Sequence, residues 1–398
     1  TCKGDFFPIN DAIKSKNTQT PELGYALPLM FAYDGQDAKW MDAIVENGNV
    51  VLTDALIGLP STGSAYERTS RFIKDGPQGE IGGLGILRTA ADCSGMTGVL
   101  KFGTHGMGHG HFDQLGLQVF AHGEPLLSDY GASRFLNVPQ KEGGRYLPEN
   151  NTWANQTVAH NSVVINSSTQ YDGSDKRADA GRSHVLYTQF DQDINAVAGW
   201  DSSAYPGVHI QRHLSTIKAE GRALILDVIQ VSAKDAVKLD VPTYYQAQLV
   251  ETRPGIVRNA TQLKPLGSDA GYEYLWDLGS VEANGESSLT WLKGSRFYTL
   301  HQRAAQGYDL QSVHTGANDP SNNLVHTEGM MLRFAPAKEH LVVQLLEAHG
   351  NYDPVLERTD GAYSKLNGLE VAKKGSEVEV RFEIDGVGYK VELATEEV

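Results

Sequence analysis

The chain has 398 residues, 40% of them hydrophobic and 21% charged, which suits two or three globular domains with a sizeable core. Its 34 Lys and Arg residues against 49 Asp and Glu residues give a net charge of −15, so we expect no binding to nucleic acid. No apolar run approaches the roughly 20 residues of a membrane-spanning helix, so we expect no membrane segment.

The first part of the chain, residues 1–75, is predicted to be helical. The stretch 8–13 contains Asn10 and Asp11, both common N-cap residues, just after a proline, and is typical of a helix start. A second helix is predicted over 35–45, where apolar residues are spaced i to i+4. Because so short a helical segment cannot bury its apolar faces by itself, it needs a partner surface.

The rest of the chain, residues 76–398, consists of short apolar or alternating runs between glycine-rich turns. The 42 Gly residues of the sequence suit many tight turns. This texture is typical of antiparallel sheets that stack face to face. We therefore predict a mainly β fold, an antiparallel multi-sheet β-sandwich over 76–398. The clearest runs are 85–88, 98–103, 115–120, 162–166, 223–228, 341–346 and 378–382.

The sequence has two cysteines, Cys2 and Cys93. They allow one disulfide at most and cannot form a metal knuckle by themselves. Nothing in the local sequence indicates that they meet, so we expect two free thiols.

The densest polar cluster of the sequence lies at 103–113 and contains His105, His109, His111 and Asp113. If this stretch were extended, these four side chains would point to one face. The glycines between them would let a substrate or a metal approach the backbone closely. Any one of these histidines could be a satisfied core or turn residue, but three within seven residues, out of 13 in the chain, indicate a site.

Further candidates follow the cluster. Asp129 and His160 both lie where an apolar run meets a polar stretch. Two histidines and one aspartate with a fourth position open suit zinc, although spacing alone leaves a solvated aspartate and a strand-end histidine as alternatives. Arg134 and the loop 141–153, which contains Tyr146, form the kind of glycine- and asparagine-bearing connection on which sites are built, unless the tyrosine and charges are simply solvated.

Together these residues resemble the polysaccharide lyases of the heparinase II/III-like group, and in particular the exo-acting oligoalginate lyases of polysaccharide lyase family 17. Four motifs carry the resemblance: His-Gly-His-Phe-Asp-Gln-Leu-Gly at 109–116, Leu-Leu-Ser-Asp-Tyr-Gly at 126–131, Arg-Tyr-Leu-Pro-Glu-Asn-Asn-Thr at 145–152 and Ala-His-Asn-Ser-Val at 159–163. Each motif alone would be weak, but the set is specific.

The resemblance implies an (α/α) toroid followed by a C-terminal antiparallel β-sandwich, with the cleft between them. Residues 1–75 would be the end of the toroid. It also implies functional roles for six residues. A zinc ion, usually regarded as structural, would be held by His111, Asp129 and His160. The uronate would be contacted by His109 and Arg134, and Tyr146 would be a catalytic tyrosine.

The toroid of the family also contributes an Asn-His pair and a second catalytic tyrosine. No histidine precedes His105, so residues 1–75 cannot provide that pair. We therefore expect a missing N-terminal helical toroid or a partner chain to complete the site. The resemblance further implies a periplasmic or secreted location, although no signal peptide is visible, and the chain could form a homodimer.

The resemblance implies an alginate or oligoalginate lyase that cleaves 1,4-linked uronates by β-elimination and, if exo-acting, releases unsaturated monouronate. Two alternatives stay open: a lyase of the same group acting on heparin or heparan sulfate, and a non-catalytic carbohydrate-binding β-sandwich that keeps the zinc site. The acidic net charge would repel a long polyuronate, so an acidic oligosaccharide such as oligoalginate is the expected partner.

Overall fold

The computed structural model describes residues 1, 3, 5–11, 68–76, 81–131, 147–191, 194–259 and 261–395. Strands dominate these residues, and every named strand pair is antiparallel, as predicted. The first five strands form one sheet in chain order: β1 (Arg71–Asp75), β2 (Gly82–Arg88), β3 (Met96–Phe102), β4 (Gly116–Ala121) and β5 (Glu124–Leu127).

A second sheet of 13 strands forms the centre of the molecule. Its strands are β6 (Val164–Ile165), β7 (His184–Phe190), β8 (Ile194–Asp201), β9 (Val208–Ala219), β10 (Arg222–Tyr244), β11 (Gln248–Arg253), β12 (Lys264–Pro265), β13 (Leu275–Ala283), β14 (Glu286–Lys293), β15 (Arg296–Ala304), β16 (Tyr308–Thr315), β17 (Glu328–Asp353) and β18 (Arg358–Asp360). Its main path runs β11-β14-β15-β17-β10-β9-β8-β7, and the long strands β10 and β17 pair with each other at its middle.

A third sheet has three strands, β19 (Leu366–Lys374), β20 (Glu377–Ile384) and β21 (Val387–Ala394). Helical structure within the described residues is short. It comprises helix α1 (Asp175–Ala180), a π-helical turn at Asn150–Ala154, and 3-10 turns at Met107–His109, Thr157–Ala159, Gln170–Gly173 and Tyr272–Tyr274. None of the helices in this part of the chain is long and apolar enough to cross a membrane.

The three sheets pack as layers because the side chains of the central strands alternate between two faces. On β10, Ile225 and Ile229 point into the core shared with the five-stranded sheet. The neighbouring Leu226 and Val228 point into a second core shared with the three-stranded sheet. This arrangement confirms the predicted multi-sheet β-sandwich, and it places the first sheet, which carries the candidate site, against one face of the large one.

The predicted strand runs all fall on observed strands, at β2, β3, β4, β6, β10, β17 and β20. The predicted helical segment 1–75 lies mostly outside the described residues, including all of 35–45. Residues 10–11 form a turn, and Arg71–Asp75 forms a strand rather than a helix. The boundary at residue 75 stays a prediction.

The expectation of free thiols is wrong for the described cysteine. Cys93 is disulfide-bonded, and no free cysteine occurs among the described residues. Cys93 lies in the hairpin between β2 and β3. The sequence around it could not predict the bond, because a disulfide requires two cysteines to be close in three dimensions and not in sequence.

The close packing of the first two sheets can be tested at Gly85 on β2. A Cβ atom there would lie 2.4 Å from Cγ2 of the fully buried Val197 on β8. We expect Gly85→Ala to lower the free energy of unfolding by about 1–3 kcal/mol through overpacking. Gly388→Ala on β21, where nothing lies within 4 Å, is the matched control and should change it little. Equal denaturation midpoints for the two variants would contradict the observed packing.

Candidate active site

The histidine-rich stretch is a loop and not an extended strand, so the prediction of one shared face is wrong. Its backbone makes a 3-10 turn at Met107–His109. His105 turns away towards α1, where its Nδ1 lies 3.1 Å from Asp179. Asp113 forms a buried ion pair with Lys101. Only His109 and His111, of the four clustered side chains, face the candidate site.

The glycines in this loop have a packing role. A Cβ on Gly110 would lie 2.2 Å from the backbone oxygen of His105, so this position excludes any side chain. The close approach folds the loop back on itself and separates His109 from His111. The sequence predicted room for a ligand here, but at Gly110 the backbone of the loop fills that room.

Three residues predicted to bind metal converge on one buried point. His111, Asp129 and His160 each offer one ligand atom, and these atoms lie within 4.8 Å of one another. His111 follows the 3-10 turn, Asp129 follows β5, and His160 follows the turn at Thr157–Ala159. All three side chains are at least nine-tenths buried. The group is therefore a possible metal-binding site built from three separate segments.

The protonation states of this group follow from its hydrogen bonds. Asp129 Oδ1 lies 2.8 Å from His160 Nδ1. Burial opposes ionisation of Asp129, but the charge and hydrogen bond of His160 outweigh it and lower the pKa of the carboxyl group. Burial lowers the pKa of His160, but the charge and hydrogen bond of Asp129 outweigh burial and raise it. An ionised carboxylate can only accept, so His160 donates through Nδ1.

His111 is arranged in the opposite sense. Its Nε2 lies 3.1 Å from Oδ1 of Asp11. Burial opposes ionisation of Asp11, but hydrogen bonds from His111, Asn150 and His109 outweigh it and lower the pKa of that carboxyl group. His111 therefore donates through Nε2, and its Nδ1 holds the lone pair. Burial is the main cause that lowers the pKa of His111, which favours the neutral imidazole.

Two orphaned nitrogen atoms test whether a metal fits here. His111 Nδ1 and His160 Nε2 are both buried without a hydrogen-bond partner in the described part of the chain. Buried polar atoms nearly always have a partner, so two such atoms in one group point to a missing ligand. Two imidazole nitrogens and a carboxylate oxygen are a donor set that zinc accepts. The residues present fit a zinc ion.

His109 lies at the edge of this group and is more than half exposed, at 56% of its side chain. Its Nδ1 lies 3.2 Å from Oδ2 of Asp11. This leaves the other ring nitrogen, Nε2, available to a ligand in solution. The role of His109 in binding a uronate stays a prediction, and so do the roles of Arg134 and Tyr146, which lie outside the described residues.

The buried Arg212 on β9 fixes the segments that carry two of the candidate metal ligands, His111 and His160. Its guanidinium makes two hydrogen bonds to the carboxylate of Asp227, at 2.8 and 2.9 Å. The third guanidinium nitrogen, Nη1, donates two further hydrogen bonds. They reach the carbonyl oxygens of Leu115, at 2.8 Å, and of Asn161, at 2.7 Å. Leu115 ends the histidine loop, and Asn161 follows the metal-binding His160.

Asn161 extends this scaffold to β5. Its side-chain amide donates to the backbone oxygens of Leu117 and Ser128, each at 3.1 Å. Its side-chain oxygen accepts from the backbone N–H of Tyr244 at 2.7 Å. Ser128 is next to Asp129, so Arg212 and Asn161 together set the relative positions of the segments that carry His111, Asp129 and His160.

Sequence reasoning missed three residues that shape the site. Gln118 on β4 donates to Oδ2 of Asp129 at 3.2 Å and to the backbone oxygen of Pro8 at 2.8 Å. Asp11 was considered only as a helix cap. Arg212 was detectable in principle, because a charged residue in an otherwise buried strand must have a partner.

Residues 74–329 match the family model described as heparinase II/III-like, C-terminal. The chain belongs to the heparinase II/III-like family. Within this family it is 36% identical over 404 aligned residues to an exo-oligoalginate lyase of Saccharophagus degradans, covering 98% of this chain and 55% of that protein. It is 34% identical over 385 residues to an alginate lyase of Stenotrophomonas maltophilia, covering 95% of this chain and 52% of that protein. The chain thus spans about half the length of the curated relatives it matches.

The fold of this heparinase II/III-like chain is also found in solved structures. A heparinase III aligns with a TM-score of 0.65 at 12% sequence identity, over 98% of this chain and 51% of the other. A heparan sulfate lyase of Pedobacter heparinus aligns with a TM-score of 0.64 at 11% identity, over 100% of this chain and 51% of the other. At such low identity these likenesses establish the shared fold.

The scaffold role of Arg212 predicts a large effect of its removal. Arg212→Met would leave Asp227 as a buried charge without its cation, and we expect the free energy of unfolding to fall by about 3–5 kcal/mol. Arg303→Met is the control, because the Arg303–Glu286 pair is partly exposed and should contribute at most about 1 kcal/mol. Urea denaturation measures both, and a loss in Arg212→Met no larger than in the control would contradict the scaffold role.

Proposed function

We propose that this chain is the zinc-bearing β half of an alginate lyase that acts on oligoalginate by β-elimination. The observation that carries the proposal is the buried group of His111, Asp129 and His160, with the exposed His109 beside it, in a chain 34–36% identical to two alginate lyases over almost its whole length. A chain that spans half of those enzymes would share the site with a helical toroid, or with a partner chain.

The metal that the proposed enzyme would hold is zinc, with His111, Asp129 and His160 as its protein ligands. A zinc ion there would join the three segments and add fixed positive charge beneath the site. Its role is thus structural in this proposal. The residues that meet the substrate are His109, Arg134 and Tyr146.

β-Elimination of a 1,4-linked uronate removes the proton at C5 and expels the oxygen at C4, which leaves a C4–C5 double bond. The C5 proton is adjacent to a carboxylate, whose negative charge opposes its loss, so that charge must be neutralised. Arg134 is suited to this, because a guanidinium is always charged and binds a carboxylate through two hydrogen bonds. His109 would contribute a further hydrogen bond from the imidazole face that Asp11 leaves open.

Tyr146 would transfer the proton, as a base at C5 or as an acid at O4. As a base it must ionise, and its reference pKa of about 10 puts a phenolate roughly 3 pH units away from neutral. Nearby cations favour the phenolate, and Arg134 and Arg145 are the candidates closest to Tyr146 in the sequence. The residues of the toroid would supply the second half of the acid–base pair.

The proposed substrate is a short oligomer, and the proposed action is exo, with release of unsaturated monouronate. A net charge of −15 repels a long polyuronate, whereas a short oligomer meets mainly the local charges of the cleft. We also propose export to the periplasm or the exterior of the cell. The disulfide at Cys93 supports this, since disulfides persist in oxidising compartments.

The direct test is the ultraviolet absorbance of the new double bond. The natural protein that contains this chain is incubated with alginate oligomers and, separately, with heparan sulfate. We expect absorbance to rise with alginate. A rise with heparan sulfate alone would favour the alternative substrate, and binding of oligosaccharide without any rise would favour a carbohydrate-binding module.

The role of Tyr146 predicts that Tyr146→Phe lowers the rate of unsaturated product formation by about 100-fold or more, because a positioned proton-transfer group contributes that much. The fold should be unchanged, since only a hydroxyl is lost. Tyr363→Phe, at a tyrosine that is 73% exposed, is the matched control and should keep full activity. Turnover of Tyr146→Phe equal to that of the control would contradict the assignment.

The hydrogen bonds of the metal group predict how zinc affinity depends on pH. Asp129 raises the pKa of His160, so below that raised pKa zinc must displace one proton from the imidazole, whereas burial lowers the pKa of His111, which therefore loses its proton at a lower pH. Affinity should therefore rise with pH, by about tenfold per unit for one proton, and level off above the raised pKa. Competition with a chromophoric chelator, corrected for its own protonation, measures this. Affinity that stays constant between about pH 5 and 8 would contradict the assignment.

A further inference from the structure

The geometry points to Asp11 as a positioning residue that holds the metal-binding His111 and the exposed His109 with one carboxylate. Nothing in the motifs of the chain assigns a role to this residue, which lies about 100 positions before either histidine. The inference rests on the proposed function, because it concerns how the zinc site and the substrate-facing imidazole are held relative to each other.

The contacts of Asp11 divide between its two oxygens. Oδ1 accepts from Nε2 of His111 at 3.1 Å and from the side-chain amide of Asn150 at 3.3 Å. Oδ2 accepts from Nδ1 of His109 at 3.2 Å. The carboxylate is only 9% exposed, so water competes little for these bonds. One side chain thus ties together the histidine loop and the turn at Asn150–Ala154.

The bond to His111 selects the tautomer that a metal requires. An imidazole that donates through Nε2 presents its lone pair at Nδ1, which is the buried atom without a partner. A carboxylate behind a metal-bound histidine fixes the orientation of the ring and increases its basicity.

The hydrogen bond to His109 fixes the orientation of this exposed imidazole in the same way. His109 has more than half of its side chain exposed, so its ring would rotate freely without a partner. Asp11 fixes Nδ1 as the donor and directs Nε2 towards the solvent side of the loop. Any shift of His111 that moves Asp11 is thereby passed to His109, and this links the state of the metal site to the side chain that would meet the uronate.

The position of Asp11 is itself well defined. Its backbone N–H donates to the backbone oxygen of His109 at 3.4 Å. The neighbouring Asn10 accepts a hydrogen bond from Lys101, which also pairs with Asp113. The N-terminal segment is thus attached to the sheet that carries the loop, and Asp11 reaches the site from a fixed base.

The experiment compares wild type, Asp11→Asn and Asp11→Glu, with Asp235→Asn as the control because Asp235 is exposed on β10 and its loss changes the net charge equally. Asn has the shape of Asp but only one acceptor oxygen, so it cannot accept from both histidines. Zinc affinity is measured by competition with a chromophoric chelator. Imidazole nitrogen NMR of the metal-free protein reports the tautomers of His109 and His111.

We expect Asp11→Asn to bind zinc about tenfold more weakly, or worse, and to shift the nitrogen signals of both imidazoles. Asp11→Glu should recover part of the affinity, and Asp235→Asn should match wild type. Zinc affinity and imidazole signals of Asp11→Asn equal to those of the control would overturn the inference. If Asp11→Asn does not fold, the wild-type spectrum decides alone, since His111 protonated at Nδ1 would contradict the assignment.

These readouts use no substrate, so they separate the inference from the proposed function. Failure of the lyase proposal would appear as no unsaturated product from the wild-type protein, with the tautomers and zinc affinity as described. Failure of the inference would leave product formation intact and show an Asp11→Asn variant that binds zinc normally.

Discussion

The candidate site depends on one buried ion pair, Arg212 with Asp227. Both side chains are almost fully buried, and Gln344 adds a further hydrogen bond to Asp227 at 3.2 Å. A buried pair of this kind adds little stability by itself, because desolvation of the charges offsets their attraction. Its effect is on position: the remaining donors of Arg212 hold the backbone next to the histidine loop and next to His160. The large central sheet thereby sets the geometry of loops that belong to the first sheet.

This arrangement explains how a metal site can be built on loops without losing its geometry. The three ligands come from connections and not from strands, and connections are ordinarily the variable part of a fold. Here hydrogen bonds from the buried Arg212, Asn161 and Gln118 hold these connections in place. Asp11 adds a further hydrogen bond to His111. The aromatic side chains of Tyr130, Trp153 and Tyr244 pack edge to face in the segments next to Asp129 and His160.

The sequence predicted the parts of this structure that depend on local pattern. Alternating apolar residues located the strands, because alternation follows directly from burial of one face. His111, Asp129 and His160 were predicted as metal ligands because their motifs resemble a known family, and the structure brings the three side chains together. Asp11, Gln118 and Arg212 were not found, since each acts through contacts with residues far away in sequence. The predicted extended conformation of the histidine loop was also wrong, because the packing of Gly110 against His105 folds this loop back on itself.

We propose that a zinc ion at His111, Asp129 and His160 orders the β half of a lyase site. X-ray diffraction from crystals grown with zinc, recorded on both sides of the zinc absorption edge, tests it most directly. We predict an anomalous peak about 2.0–2.2 Å from His111 Nδ1, from one imidazole nitrogen of His160 and from a carboxylate oxygen of Asp129. No peak between these residues, or a zinc ion bound through Nε2 of His111, would contradict the account.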